Sequence, residues 1–244
     1  MTMVSVHQPN FMPWTKLLAK IVASDVYVAY DSVQFNKREY HARQLFATER
    51  GGTAFLSVPV RHTGKREAIR DMRIVNEQPW RARHLEFLSA NYGHTPYFGE
   101  VFGAIEGVYA TAHDLLVEHN IALIEAFCGY LSAGTRVVRS SSLPHQGSRE
   151  ERLLDLVRAV GGDEHLTSTT TTHEIDWSGF HAAGIPVHDQ EFSAPVYEQP
   201  IPNLAAADLL FWRGRTALAA MVTGAGTRYS CSLPATTAAG SPGS

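Results

Sequence analysis

The chain has 244 residues, with 21 basic against 24 acidic side chains, a formal charge of −3, 44% hydrophobic and 18% charged residues. This is globular composition, and the near-neutral balance excludes the basic footprint of a protein that grips nucleic acid through its phosphates. No apolar run approaches the roughly 20 residues that cross a bilayer, and Met1-Thr-Met-Val-Ser-Val-His7 lacks a signal-peptide pattern, so the expectation is a cytoplasmic protein with no membrane span.

In chain order, Val4–Val6 predicts a short strand that runs into His7-Gln-Pro-Asn10. Leu17, Leu18, Ile21 and Val22 then form one helical stripe, with Pro13 placed in the first turn. Asp25–Tyr30 alternates and is rich in β-branched and aromatic residues, which predicts a second strand ending at Asp31. Strand, loop, helix and strand make a crossover unit, hence a parallel pair. Ala54–Val60 predicts a strand that Pro59 keeps near an edge, and Ile69–Val75 another short one. Helical periodicity dominates Trp80–Tyr92 and Phe98–Leu131, an insertion of about 80–131. Arg136–Ser140 is a strand, and Ser148-Arg-Glu-Glu151 resembles a capping box for a helix stopped by Gly161-Gly162. His165–Ser168 and Ile185–His188 are further strands, and Leu204–Trp212 a late helix. The expected fold is therefore α/β, a Rossmann-like, mostly parallel sheet with a helical insertion. One domain would span residues 1–231, and the Ala/Gly/Ser/Pro/Thr stretch 232–244 would be a disordered tail.

Two constellations could carry chemistry. His7, Gln8 and Asn10 follow the first strand, and ligands sit at such carboxyl ends in open parallel sheets. An imidazole there could act as general base, with Gln8 and Asn10 orienting a substrate; equally, the triplet could only tie down the loop. Asp31, Gln34, Lys37, Arg38, His41 and Arg43 follow the second strand. The cations could grip a phosphate or carboxylate and Asp31 could orient a cation, or the stretch could be an ordinary solvated loop. Cys128 lies on an apolar helical face and reads as core; Cys128 and Cys231 are too few and too far apart for a disulfide framework or a zinc site. The remaining histidines lack the spacing of a metal site, so no metal is expected. Thr167 and Thr169–Thr172, beside His173, could offer hydroxyls to a substrate but read more simply as a loop.

His7-Gln-Pro-Asn-Phe-Met-Pro-Trp14, with Lys20-Ile21, Asp31-x-Val33-Gln-Phe35, Lys37-Arg38, Leu56-Ser-Val-Pro-Val60, Pro195-x-Tyr197-x-Gln199 and Asp208-Leu-Leu-Phe-x-x-Gly214, resembles the WbqC-like family almost to Gly214. The resemblance implies a setting in polysaccharide or natural-product biosynthesis, with some members suggested to be glycine transferases that acylate an amino sugar. It carries His7, Gln8, Asn10, Asp31, Gln34, Lys37, Arg38, Arg43 and Asp208 over as site residues. The chain departs from the pattern at Ala42, at the threonine run and at Trp212, which bears on substrate identity. A weaker likeness, in the His-x-Pro loop and the Asp-tipped strand, is to the nucleotidylyltransferases, although the second histidine of their loop is missing.

The leading expectation is an acyl or aminoacyl (glycine-type) transferase forming an amide on an amino-sugar or natural-product amine. His7, Asp31 and Asn10 would be catalytic, with His7 as base; Gln8, Gln34, Lys37, Arg38, His41, Arg43 and Asp208 would bind substrate. It needs no resident cofactor, only a small-molecule substrate and a donor such as a pantetheine-linked thioester or a sugar nucleotide, with an acyl or aminoacyl carrier protein as candidate partner. The alternatives are an adenylating ligase or nucleotidylyltransferase-like enzyme using Mg-ATP, and a non-catalytic ligand-binding protein.

Overall fold

A computed structural model describes residues 1–61, 63–64, 66–168, 174–222 and 227–231, the last five and residue 222 as backbone. The threonine run 169–172, His173 and the expected tail 232–244 lie outside the described residues.

The centre is a sheet of β1 (Met3–His7), β2 (Val26–Ala29), β5 (Arg136–Arg139), β6 (Glu164–Ser168), β7 (Val187–Phe192) and β8 (Thr227–Cys231), in the order β5-β2-β1-β6-β7-β8. All neighbours are parallel except β7 and β8. Helix α1 (Thr15–Val22) links β1 to β2, and α5 (Arg149–Ala159) brings the chain back to β6 on the other side of β1. The strand order thus reverses between β1 and β6, where open α/β sheets place their ligands.

Side-chain alternation splits the core. Val4, Val6, Val26 and Val28 pack with Leu153, Leu156 and Val157 of α5 and with Phe180 of α6 (Ser178–Ala182). On the other face Tyr27 and Ala29 meet Leu17 and Ile21 of α1 and Ile124 and Cys128 of α4 (Leu116–Tyr130). A third, larger core joins α2 (Trp80–Tyr92), α3 (Phe98–Tyr109), α4, the antiparallel hairpin β3 (Arg43–Thr48) and β4 (Gly52–Ser57), and α7 (Ala206–Arg213). Among the described residues no helix is long and apolar enough to cross a membrane.

Several boundaries differ from the sequence reading. The inserted stretch runs from residue 30 to 135, between the neighbouring strands β2 and β5, and includes the β3–β4 hairpin. The second helical stretch is two helices, α3 and α4, separated by residues 110–115. Ile69–Val75 is not a strand: Ile69–Asp71 is a 3-10 turn, and Ile74 makes a lone bridge to Val60. Pro13 lies just outside α1, whose cap is Trp14. The helix α8 (Ala217–Val222) and the edge strand β8 carried no legible pattern. The capping box of α5 is present: Ser148 Oγ accepts from the Glu151 amide at 3.3 Å, and the Ser148 amide donates to Glu151 Oε2 at 2.7 Å. The helix stops at Gly161, φ +74°, and a Cβ on Gly162 would lie 2.5 Å from the Val4 side chain. That glycine lets the turn close onto β1.

Candidate functional site

The loop from β1 to α1 is held from several sides. The Phe11 amide donates to Tyr40 O, Asn120 Nδ2 donates to Pro9 O, Gln44 Nε2 donates to Met12 O, and the Ala206 amide donates to Pro13 O. Met12 is held at φ +40°, a conformation a non-glycine residue adopts only when its surroundings fix it. The result is a rigid placement of His7 and Gln8 at the carboxyl end of β1.

Two cavities meet there. The inner one, about 390 Å³, lies at the strand-order reversal and is lined by His7, Gln8, Lys20, Tyr30, Arg149, Arg152, His165 and Thr167, among others. The outer one, about 1060 Å³, is lined by Gln8, Gln34, Lys37, Glu39, His41, Glu67, Arg149 and Glu174, with Phe35, Asn36 and Met72. Gln8 and Arg149 line both.

The hydrogen bonds assign the imidazole tautomers. His7 Nδ1 lies 2.9 Å from the carbonyl of Gln8, which can only accept, so Nδ1 carries the proton and Nε2 keeps its lone pair. Burial first, then the Lys20 ammonium, holds the His7 pKa down to about 3, so the ring is neutral. His41 is fully buried; its Nδ1 accepts from the Asn36 amide at 3.1 Å, so its Nε2 donates to Gln8 Oε1 at 2.9 Å. Burial lowers its pKa to about 4 and keeps it in that form. Gln8 is therefore oriented with its carboxamide oxygen occupied and its NH2 left to donate. His165 Nδ1 likewise donates to Val4 O at 3.0 Å.

The sequence-derived candidates divide. His7, Gln8, Gln34, Lys37 and His41 line the two cavities. Asp31 does not serve as expected. It is fully buried and accepts from Arg139 Nε, Ser140 Oγ, the Ser141 amide and Ser141 Oγ at 2.8–2.9 Å. Four donors fill both oxygens, so no position is left for a substrate ammonium or a magnesium ion. Burial alone would raise its pKa, but these bonds more than offset that and hold it below the usual value. Asn10 is 3% exposed and lines neither cavity, so it does not hold an acyl carbonyl there. Arg43 turns to the hairpin, with Nη2 donating to Arg38 O at 2.5 Å and the guanidinium 4.7 Å from the Phe55 ring. Arg38 is exposed and lines neither cavity. Asp208 is fully buried under the hydroxyls of Tyr92, 2.6 Å, and Tyr197, 2.8 Å, which makes it a structural tie and not a substrate contact. Cys128 is buried, and burial lifts its thiol pKa to about 12.

Sequence reasoning passed over Lys20, Tyr30, Arg149, Arg152 and His165 as site residues. Lys20 carried a signal, since it sits one position before Ile21 and three after Leu17 on the stripe that α1 buries. A lysine there must reach a polar recess or bury a charge. The arginines of α5 gave no such signal, because the first turn of an exposed helix is an ordinary place for them.

No solved structure gives a significant match to the chain. A protein of Mycobacterium tuberculosis (strain ATCC 25618 / H37Rv), the uncharacterized protein Rv1507c, is 26% identical over 189 residues, covering 77% of this chain and 81% of the relative. A sequence model of the WbqC-like protein family matches residues 8–220, which takes in the inserted stretch and the parallel strands β2, β5, β6 and β7 and begins just after β1. By that match the chain belongs to the WbqC-like protein family.

Proposed function

We propose that the chain catalyses amide-forming acyl or aminoacyl (glycine-type) transfer onto the amine of an amino sugar or natural product, with His7 as general base. One observation carries this reading: a neutral imidazole whose proton is fixed on Nδ1 lines a cavity at the strand-order reversal, beside a carboxamide whose NH2 is free. The amine nitrogen attacks the carbonyl carbon of a thioester, Gln8 donates to the developing oxyanion, and His7 Nε2 takes the proton from the nitrogen. The C–S bond then breaks, the amide forms, and the departing sulfur receives that proton from His7. The proton His7 takes is that of the ammonium of the tetrahedral adduct, far more acidic than that of a free amine. An anionic substrate beside Lys20 would offset that cation and make His7 more basic once bound. Asp31 and Asn10 have no part in this step. The same reading sets the protein in the cytoplasm, with a pantetheine-linked donor presented free or on a carrier protein.

The test uses hydroxylamine as a generic amine with small acyl- and aminoacyl-pantetheine thioesters, and follows the hydroxamate. Formation without ATP that falls at least 100-fold in His7→Ala supports the reading. Equal rates in the variant overturn it. A second reading, nucleotide chemistry, is favoured by the cationic cavity at the strand-order reversal, and pyrophosphate release that requires Mg-ATP would replace acyl transfer by it.

A further inference from the structure

The two central strands separate at one point. The β1–β6 ladder stops at Ser5↔Leu166, while β1 continues beside β2 to His7↔Ala29 and β6 beside β7 to Ser168↔Gln190. The inner cavity is lined from both strands beyond that point, by His7 and Thr167, and by Lys20 from α1. Lys20 is 4% exposed, and its ammonium makes no hydrogen bond or ion pair among the described residues. Among the described residues no Asp or Glu lines this cavity. The other cations there are Arg149 and Arg152 at the start of α5. Arg152 uses Nε on Ser148 O at 3.3 Å, and Arg149 reaches Glu174 at 3.3 Å only where both side chains are more than half exposed. A buried ammonium and two guanidinium groups without an inward-facing carboxylate are thus collected in a chain whose overall charge is −3. Buried charge of one sign persists where something of the opposite sign occupies the site.

We propose that this inner cavity is a phosphate-binding subsite, with Lys20 at its floor, Arg149 and Arg152 at its rim and the Thr167 hydroxyl as a further donor. A phosphoryl group suits it better than a carboxylate, because one bidentate arginine already satisfies a carboxylate, whereas three cations and a hydroxyl match the oxygens of a phosphate or diphosphate. The outer cavity differs in charge: Glu39, Glu67 and Glu174 line it with Lys37 and Arg149, a net acidic lining that accepts an amine. Since Gln8 and Arg149 line both cavities, the substrates would place phosphate inside, amine outside, and the reacting carbonyl near His7 and Gln8. This placement rests on the transfer reading above; phosphate binding itself does not. Two sources share the chemistry, a phosphopantetheine donor and a nucleoside diphosphate-linked amine.

Titration calorimetry of the full chain with inorganic pyrophosphate, phosphate and acetate tests the subsite. Pyrophosphate should bind one to one, at least ten-fold tighter than acetate, and at least ten-fold weaker in both Lys20→Met and Arg152→Gln. Arg152→Gln lies at a partly exposed position and keeps the test valid should Lys20→Met fold poorly. No pyrophosphate binding, binding unchanged in the variants, or acetate binding as tightly would overturn the proposal. Phosphopantetheine and uridine diphosphate, titrated next, tell the sources apart: whichever loses affinity in Arg152→Gln is the one seated there, and loss for neither also overturns the proposal. His7→Ala separates the two readings. Lost hydroxamate formation with retained pyrophosphate binding supports both, and retained turnover with pyrophosphate binding sinks only the transfer mechanism.

Discussion

Replacing Lys20 by Met should stabilise the protein, because the wild type carries a buried ammonium without a counter-charge. Burial first, and the neighbouring Lys16 second, lower the Lys20 pKa from the ordinary 10.5 to about 8. At about 1.4 kcal/mol per power of ten, holding that proton in the fold costs about 3 kcal/mol. The sign follows from proton counts. Below about pH 8 both folded and unfolded chains carry the proton and the whole cost is felt; between 8 and 10.5 the unfolded chain keeps a proton the folded chain has lost, so wild-type stability rises with pH. Met matches the length of the lysine stem and puts no charge beside His7 and His165, whose pKa values Lys20 lowers. Urea unfolding at pH 7 should show the variant more stable by about 1–3 kcal/mol, or several degrees in Tm for a chain this size. The gap should close by pH 10.5. A variant less stable at pH 7, or a gap independent of pH, would refute the account by showing that the ammonium is already compensated.

Other substitutions separate structural ties from the site. Asp31→Asn removes the charge that Arg139, Ser140 and Ser141 surround and should cost about 2–4 kcal/mol in urea unfolding, with Arg139 one-third exposed and so partly relieved by water. Because its folded pKa is depressed, the stability Asp31 contributes is present above the unfolded value near 3.8 and is lost as pH falls through the folded one. Asp208→Ala removes the acceptor for the hydroxyl protons of buried Tyr92, whose oxygen still accepts from the Ala47 amide, and of half-buried Tyr197, and should cost about 2–4 kcal/mol, while the KM of folded protein stays unchanged. Arg43→Ala should leave turnover within a factor of two, since that side chain packs on Phe55 and lines neither cavity.

The crossover β1–α1–β2 and the capped start of α5 were legible because each has a local cause: alternation, a single apolar stripe, and Ser148 three residues before Glu151. Helix α8 and strand β8 were not, since six residues of Ala, Leu, Met and Val carry no periodicity and β8 depends on pairing with β7. The site divided the same way. His7, Gln8 and His41 declare themselves by residue type at a strand end or in the polar stretch that follows. Asp31 declared itself equally well, yet its partners lie more than a hundred residues away on Arg139–Ser141, and only the pairing of β2 with β5 brings them together. Arg149 and Arg152 face the cavity because α5 crosses back to β6, a consequence of strand order that no local pattern encodes.

The most direct measurement is a crystal structure of the chain with pyrophosphate and a stable amide analogue of acetyl-phosphopantetheine. The account predicts phosphate density within hydrogen-bond reach of Lys20 and Arg152, and the analogue's carbonyl beside His7 Nε2 and the Gln8 amide. Phosphate density among Lys37, Glu39 and Glu67 in the outer cavity, with the inner one filled by water alone, would contradict it.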